Sequence, residues 1–108
     1  SVLLLVTHKP PAGQVPDQAG RKAVARRIAD ISGLFWKVWI TDHISGESGG
    51  VYPFEDAASA DAWAQQIAQL LSGSTNVVIR PFSVDTDLSL FTRAPLPEAR
   101  SRFDGKWA

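Results

Sequence analysis

The chain has 108 residues, with 11 Lys and Arg against 11 Asp and Glu, no Cys and no Met. At about 100–200 residues per domain, that is one domain with one small core. The missing thiols exclude a disulfide framework, a thiolate metal site, a Cys nucleophile and an iron–sulfur cluster. Zero net charge argues against nucleic acid as a partner, because phosphate binding needs an excess of basic charge.

No run approaches the about 18–20 apolar residues of a membrane span. The chain begins at Ser1 rather than Met, which reads as a processed or partial sequence. Its opening Val2–Val6 run is too short for the core of a signal peptide. The expectation is a soluble, cytoplasmic protein that meets neither membrane nor nucleic acid.

Residues 2–7 are Leu or β-branched and end at His8-Lys9-Pro10-Pro11, a pattern that predicts a strand buried on both faces. A proline-rich loop runs to Pro16. Asp17 can cap a helix over about 17–32, with Val24, Ile28 and Ile31 on its apolar stripe and Gly33 as its stop. Arg21, Lys22, Arg26 and Arg27 lie largely off that stripe and read as a solvated face. Residues 34–41, Leu-Phe-Trp-Lys-Val-Trp-Ile-Thr, form a second predicted strand. Leu34, Trp36, Val38 and Ile40 would share one side, and Phe35, Lys37, Trp39 and Thr41 the other. Both sides are largely apolar, unlike a sheet with one face in water.

A polar loop over 42–48 leads to a return strand over 49–54, entered through Gly49 and Gly50. Glu55 and Asp56 put negative charge where a second helix begins. Its expected buried stripe is Ala60, Trp63, Ala64, Ile67, Leu70 and Leu71, and Gly73 ends it. The last strand covers 75–84, with Val78, Arg80, Phe82 and Val84 on one side. Pro81 lacks the N–H for an interior ladder and places this strand at a sheet edge. The rest, from about residue 85 or 88 to 108, reads as a tail.

The order β-α-β-β-α-β predicts an α+β, ferredoxin-like protomer. Its four-stranded antiparallel sheet would have the first and third strands central and both helices on one face. The other face is apolar too, and a second copy packed sheet to sheet in a homodimer would cover it.

Gly46-Glu47-Ser48-Gly49-Gly50 matches the G-x-S-x-G nucleophile pattern. A nucleophile elbow needs a strand before the serine and a helix after it, whereas this serine follows a polar loop and precedes a strand. A Gly-rich hairpin connection is the better reading. His8 and His43 are candidate bases, but three or four converging metal ligands are not apparent from the spacing. Trp36, Trp39, Tyr52, Phe54, Trp63 and Phe82 fall on elements that should meet, and a buried indole N–H needs a partner. Arg80 stands alone on an otherwise apolar strand. It meets a carboxylate, reaches solvent or faces a ligand.

Gly33-Leu34-Phe35-Trp36-Lys37-Val38-Trp39, Glu47-Ser48-Gly49-Gly50-Val51-Tyr52-Pro53-Phe54 and Val84-Asp85-Thr86-Asp87-Leu88-Ser89 together resemble the YdhR-type, mono-oxygenase-like family. The resemblance runs over about residues 17–90. That family is similar to the antibiotic-biosynthesis mono-oxygenases, so the resemblance implies a dimeric α+β barrel. It also implies oxidation of a small phenol- or hydroquinone-like compound by molecular oxygen, with no metal or flavin. On that implication Tyr52, His43 and Arg80 would be catalytic. Tyr52 would meet the substrate oxygen, His43 would act as a base and Arg80 as a counter-charge. Trp36, Trp39, Phe54, Trp63 and Phe82 would line the pocket. Superfamily oxygenases commonly set an Asn beside their Trp, and here Asn76 is the one Asn, which speaks against haem degradation. Two other readings stay open on the same fold: a non-catalytic dimer that binds an apolar ligand, and an isomerase or decarboxylase.

Overall fold

The computed structural model describes residues 1–13 and 17–98. Its elements are β1 (Val2–Lys9), α1 (Gln18–Ala29), β2 (Val38–Thr41), β3 (Ser48–Phe54), α2 (Ala57–Leu70), β4 (Thr75–Ser83) and α3 (Thr86–Phe91). An aspartate starts each helix by accepting from a first-turn amide: Asp17 from Gly20 at 2.8 Å, Asp56 from Ser59 at 2.8 Å and Asp85 from Leu88 at 3.0 Å. These caps satisfy donors that have no partner inside a helix. The third cap marks a helix in the stretch expected to be tail, and Leu90 and Leu96 there are buried.

The strands form one antiparallel sheet in the order β2-β3-β1-β4. The first and third strands are central and the strand carrying Pro81 lies at an edge, as the pattern implied. Alternation along β1 sends Val2, Leu4 and Val6 to the helix side, opposite Phe54, Tyr52 and Gly50 of β3. Leu4, Val6, Tyr52 and Phe54 are each no more than 1% exposed. Ala60, Trp63 and Ile67 of α2 and Ile28 of α1 close over them, with Val24, Ile31 and Leu34 at the margin. Burial of each large side chain contributes about 1.5–3 kcal/mol. Leu70, expected on this stripe, is instead 68% exposed at the end of α2.

The predicted strand over 34–41 is broken. Leu34 bridges Phe54, and Val38 pairs with Val51, so four steps of chain stand against three. That extra residue is a bulge, and it reverses which side the chain presents. Leu34 therefore joins the core, while Val38 and Ile40 face the opposite side. Pro53 explains the break: it accepts from Phe35 N at 3.0 Å but has no N–H to return. α1 likewise stops at Ala29, three residues short of its expected end, and Gly33 takes the left-handed turn (φ 80°) that leads into Leu34.

The far side of the sheet carries Leu3, Leu5, Val51, Val38, Ile40, Val78, Arg80 and Phe82. Val38 is 50% exposed and Phe82 39%. A second bulge sits where Thr7 pairs with Val78 but Lys9 pairs with Thr75, and Asn76 occupies it in the left-handed conformation (φ 53°). The one Asn thus shapes backbone at a sheet edge.

Candidate active site

The residues named from sequence separate onto two sides of the sheet. Trp39 pairs with Gly50, which pairs with Val6, so its indole stands on the helix side with Tyr52. Trp63 reaches the same place from α2. Its ring centroid is 6.0 Å from that of Tyr52, at 52°, and the Phe54 ring lies 6.4 Å from Tyr52, stacked at 16°. Phe54 is fully enclosed and serves as packing beneath the tyrosine rather than as a surface for a ligand. Trp39 is 47% exposed. The helices leave this end of the sheet open.

Lys37 was not among the residues singled out from sequence, and it stands at the centre of the cluster. Its Nζ lies 3.2 Å from the Trp39 ring centroid and 4.7 Å from that of Tyr52. Ring faces carry negative charge density and attract a cation. The stem reaches them by crossing Gly50. A Cβ at Gly50 would collide with Cε of Lys37 and come within 2.9 Å of the Val38 carbonyl oxygen. Burial pushes the Lys37 ammonium down to about 8. No carboxylate among the described residues offsets that cost by pairing with it.

Two further groups are tuned by the same surroundings. Burial raises the Tyr52 phenol above its ordinary value, so the hydroxyl stays protonated at neutral pH, while the nearby Trp63 indole N–H pulls weakly the other way. That N–H is buried and has no hydrogen bond of acceptable geometry among the described residues. His8, on the helix side at the end of β1, contacts Ser74 Oγ through Nδ1 at 3.0 Å. Burial and then the charge of Lys37 lower its pKa, which favours the neutral imidazole.

Other expected members lie elsewhere. Arg80 and Phe82 are on the far side of the sheet, the guanidinium 4.8 Å from the Phe82 ring, so the sheet itself stands between Arg80 and Tyr52. Arg80 therefore cannot be the counter-charge for a group held by Tyr52. Trp36 gives its indole N–H to the Pro95 carbonyl at 2.7 Å, a bond that ties the segment after α3 to the chain before β2. His43 is exposed in the β2–β3 turn, which Asp42 organises by accepting from Ile44 N at 2.9 Å. The backbone bonds to Ile44 and Ser45 hold the Asp42 carboxyl below its usual range. That turn starts beyond the Thr41–Ser48 pair, four strand positions or about 14 Å from Tyr52. His43 is too far to serve as its base. His8 is on the helix side and near enough to feel the Lys37 charge, but its pairing with Ser48 also sets it four strand positions from Tyr52.

Two open hollows mark the surface. One, of about 280 Å³, lies beside the β2–β3 turn on the far side, lined by Thr7, Ile40 and Glu47 among others. The other, of about 400 Å³, lies between the end of α1 and the start of α2, and Trp63 forms part of its wall. No group of three or more His, Cys, Asp or Glu among the described residues is placed to hold a metal ion. No described helix is long and apolar enough to cross a membrane.

The model of a protein family described as "Putative mono-oxygenase ydhR" matches residues 6–95. The chain belongs to the YdhR family. The match begins inside β1, earlier than the resemblance suggested, and so takes in every residue of the helix-side cluster. It also takes in α3 and Pro95, the acceptor of the Trp36 bond. No curated protein matches this YdhR-family chain.

Proposed function

We propose that this YdhR-family protein is a cofactor-independent mono-oxygenase of a small, electron-rich aromatic compound, bound on the helix side against Trp39, Tyr52 and Trp63. The observation that carries this reading is the half-exposed Trp39 ring beside a buried, protonated Tyr52. Flat apolar walls with a few directed polar groups are the usual make-up of a small-molecule site.

The chemistry asks little of the protein beyond binding and charge. A phenol that has lost its proton can pass one electron to oxygen. The resulting radical and superoxide then combine at the ring carbon para to the oxygen. Loss of water from that hydroperoxide leaves a quinone, so phenol and oxygen give quinone and water with all atoms accounted for. Fixed donors near the substrate oxygen favour its anion, and a dry, oriented site favours the electron transfer. Tyr52 supplies one such donor. His8, held neutral on the same side, can take the phenol proton through intervening water.

The working form is a homodimer joined through the far side of the sheet. Leu3, Leu5, Val38, Val51 and Phe82 make that side too apolar to be left in water. Phe82→Asp should yield a monomer in sedimentation, and a wild-type protein that is monomeric at micromolar concentration would contradict the pairing.

Oxygen uptake with a panel of hydroquinones, catechols and naphthols tests the activity. Saturable uptake that falls by about 10-fold or more in Tyr52→Phe is expected, as for loss of one directed donor. Ligand binding without uptake across the panel would indicate a binding protein. Substrate loss under strict anaerobiosis would point to an isomerase or decarboxylase instead.

A further inference from the structure

Three polar groups meet on the helix side, and each can donate. Lys37 is a cation held on ring faces with no described carboxylate beside it. Trp63 Nε1–H is buried and, although the Tyr52 hydroxyl lies near it, makes no hydrogen bond of acceptable geometry among the described residues; an indole nitrogen can only donate. The Tyr52 hydroxyl lies beside it and retains its proton. Buried donors without acceptors are rare in folded proteins, and each calls for an explanation. Here one such donor, the Trp63 indole N–H, lies beside the Tyr52 phenol, whose ring the Lys37 ammonium covers.

We infer that this cluster is a binding site for a planar oxyanion (phenolate, enolate or aryl carboxylate) whose place on the Trp39 ring the Lys37 side chain fills until the ligand arrives. The flat Trp39 face accepts a conjugated ring. The Lys37 stem is flexible, so its ammonium swings off the indole and pairs with the ligand oxygen. Moving it also uncovers the Tyr52 ring, which it now shields. Trp63 Nε1–H and the Tyr52 hydroxyl then face an acceptor. Gly50 is the positioning residue, because only a residue without Cβ lets the stem cross β3 at this point. This inference rests on the helix side being the substrate site. It does not rest on the oxygen chemistry.

Benzoate and benzamide share shape and differ in charge, so their binding to the intact protein, followed by tryptophan fluorescence, is the first test. The wild type should hold benzoate about 10- to 100-fold more tightly than benzamide, as expected for a charge-assisted bond in a partly buried site. That preference should vanish in Lys37→Met and persist in Lys37→Arg. A parallel titration with 4-nitrophenol, read at the band of its ionised form, tells whether phenolate or carboxylate is preferred. Equal binding of benzoate and benzamide by the wild type would overturn the inference, as would a charge preference that survives in Lys37→Met. Failure of the wild type to bind any of these probes would do the same. Charge-selective binding without oxygen uptake leaves the oxyanion site standing and removes the oxygenase reading. Uptake that is unchanged in Lys37→Met does the reverse.

Discussion

Gly50 lies directly beneath Lys37: the lysine stem crosses β3 where the glycine has no side chain, and its ammonium ends over Trp39 and Tyr52. Gly50→Ala should therefore act on a charge as well as on packing. The added methyl meets Cε of Lys37, which can move, and the Val38 carbonyl at 2.9 Å, which cannot without disturbing the β2–β3 ladder. A loss of about 1–3 kcal/mol in urea unfolding is expected for such overpacking. The Lys37 ammonium should also return toward the ordinary lysine range in an NMR titration. An unchanged Lys37 titration would mean that the glycine does not position it.

Stability should depend on pH through the same lysine. The folded protein releases the Lys37 proton near pH 8, and the unfolded chain does so near ~10.4. Between these values the unfolded state holds more protons, so unfolding free energy rises with pH. Below pH 8 both states are protonated and the full cost of the buried charge is present. Lys37→Met removes that cost, so the variant's advantage should shrink between pH 8 and pH 10. Solvent reaches part of the side chain, so a change of roughly 1 kcal/mol is expected rather than the value for a fully buried group. Tyr52 has the opposite sign: its raised pKa makes the folded state hold the proton longer, and stability falls above pH 10.

Trp63 combines a large buried ring with an indole N–H that has no described acceptor. Trp63→Ala should cost about 3–5 kcal/mol in denaturant unfolding. Trp63→Phe should cost much less than Trp63→Ala, because it keeps most of the ring and removes a donor that folding leaves unsatisfied. A phenylalanine variant as unstable as the alanine one would show that the indole N–H has an acceptor in solution.

Much of the fold was legible in the sequence because each element carried its own local signal. Asp17 and Asp56 mark helix starts, Pro81 marks an edge strand, and Val2 to Val6 mark a strand, of which the structure buries Leu4 and Val6 on the helix side and leaves Leu3 and Leu5 partly exposed. Asp85 carries the same capping signal three residues before Leu88, yet the prolines after it favoured reading a tail. The break at residues 35–37 was harder to see. It depends on Pro53, which weakens pairing only for the strand that happens to lie beside it. That single bulge decided which ring faces which side, and with it the membership of the site. Tyr52, Trp39 and Trp63 were recognised and do come together. Arg80 and Phe82 were grouped with them on chemistry alone, although strand alternation sends them to the far side. Lys37 was placed on one side with Phe35, Trp39 and Thr41 but not singled out, because nothing local in the sequence marks a lysine as a cation held on ring faces. Only the neighbouring-strand register, which places Gly50 beside Trp39, shows where it goes.

The helix-side location of the chemistry is tested most directly by comparing Lys37→Met with Arg80→Met in steady-state oxygen uptake on whichever phenol the wild type turns over. The two positions carry one positive charge each, on opposite sides of one sheet. Lys37→Met should lower kcat/KM by about 10-fold or more, the loss expected for a charged contact to the reacting oxygen. Arg80→Met should stay within about 2-fold of wild type once sedimentation shows the same assembly. Loss of activity in Arg80→Met with Lys37→Met unaffected would place the reaction on the far side and contradict the assignment.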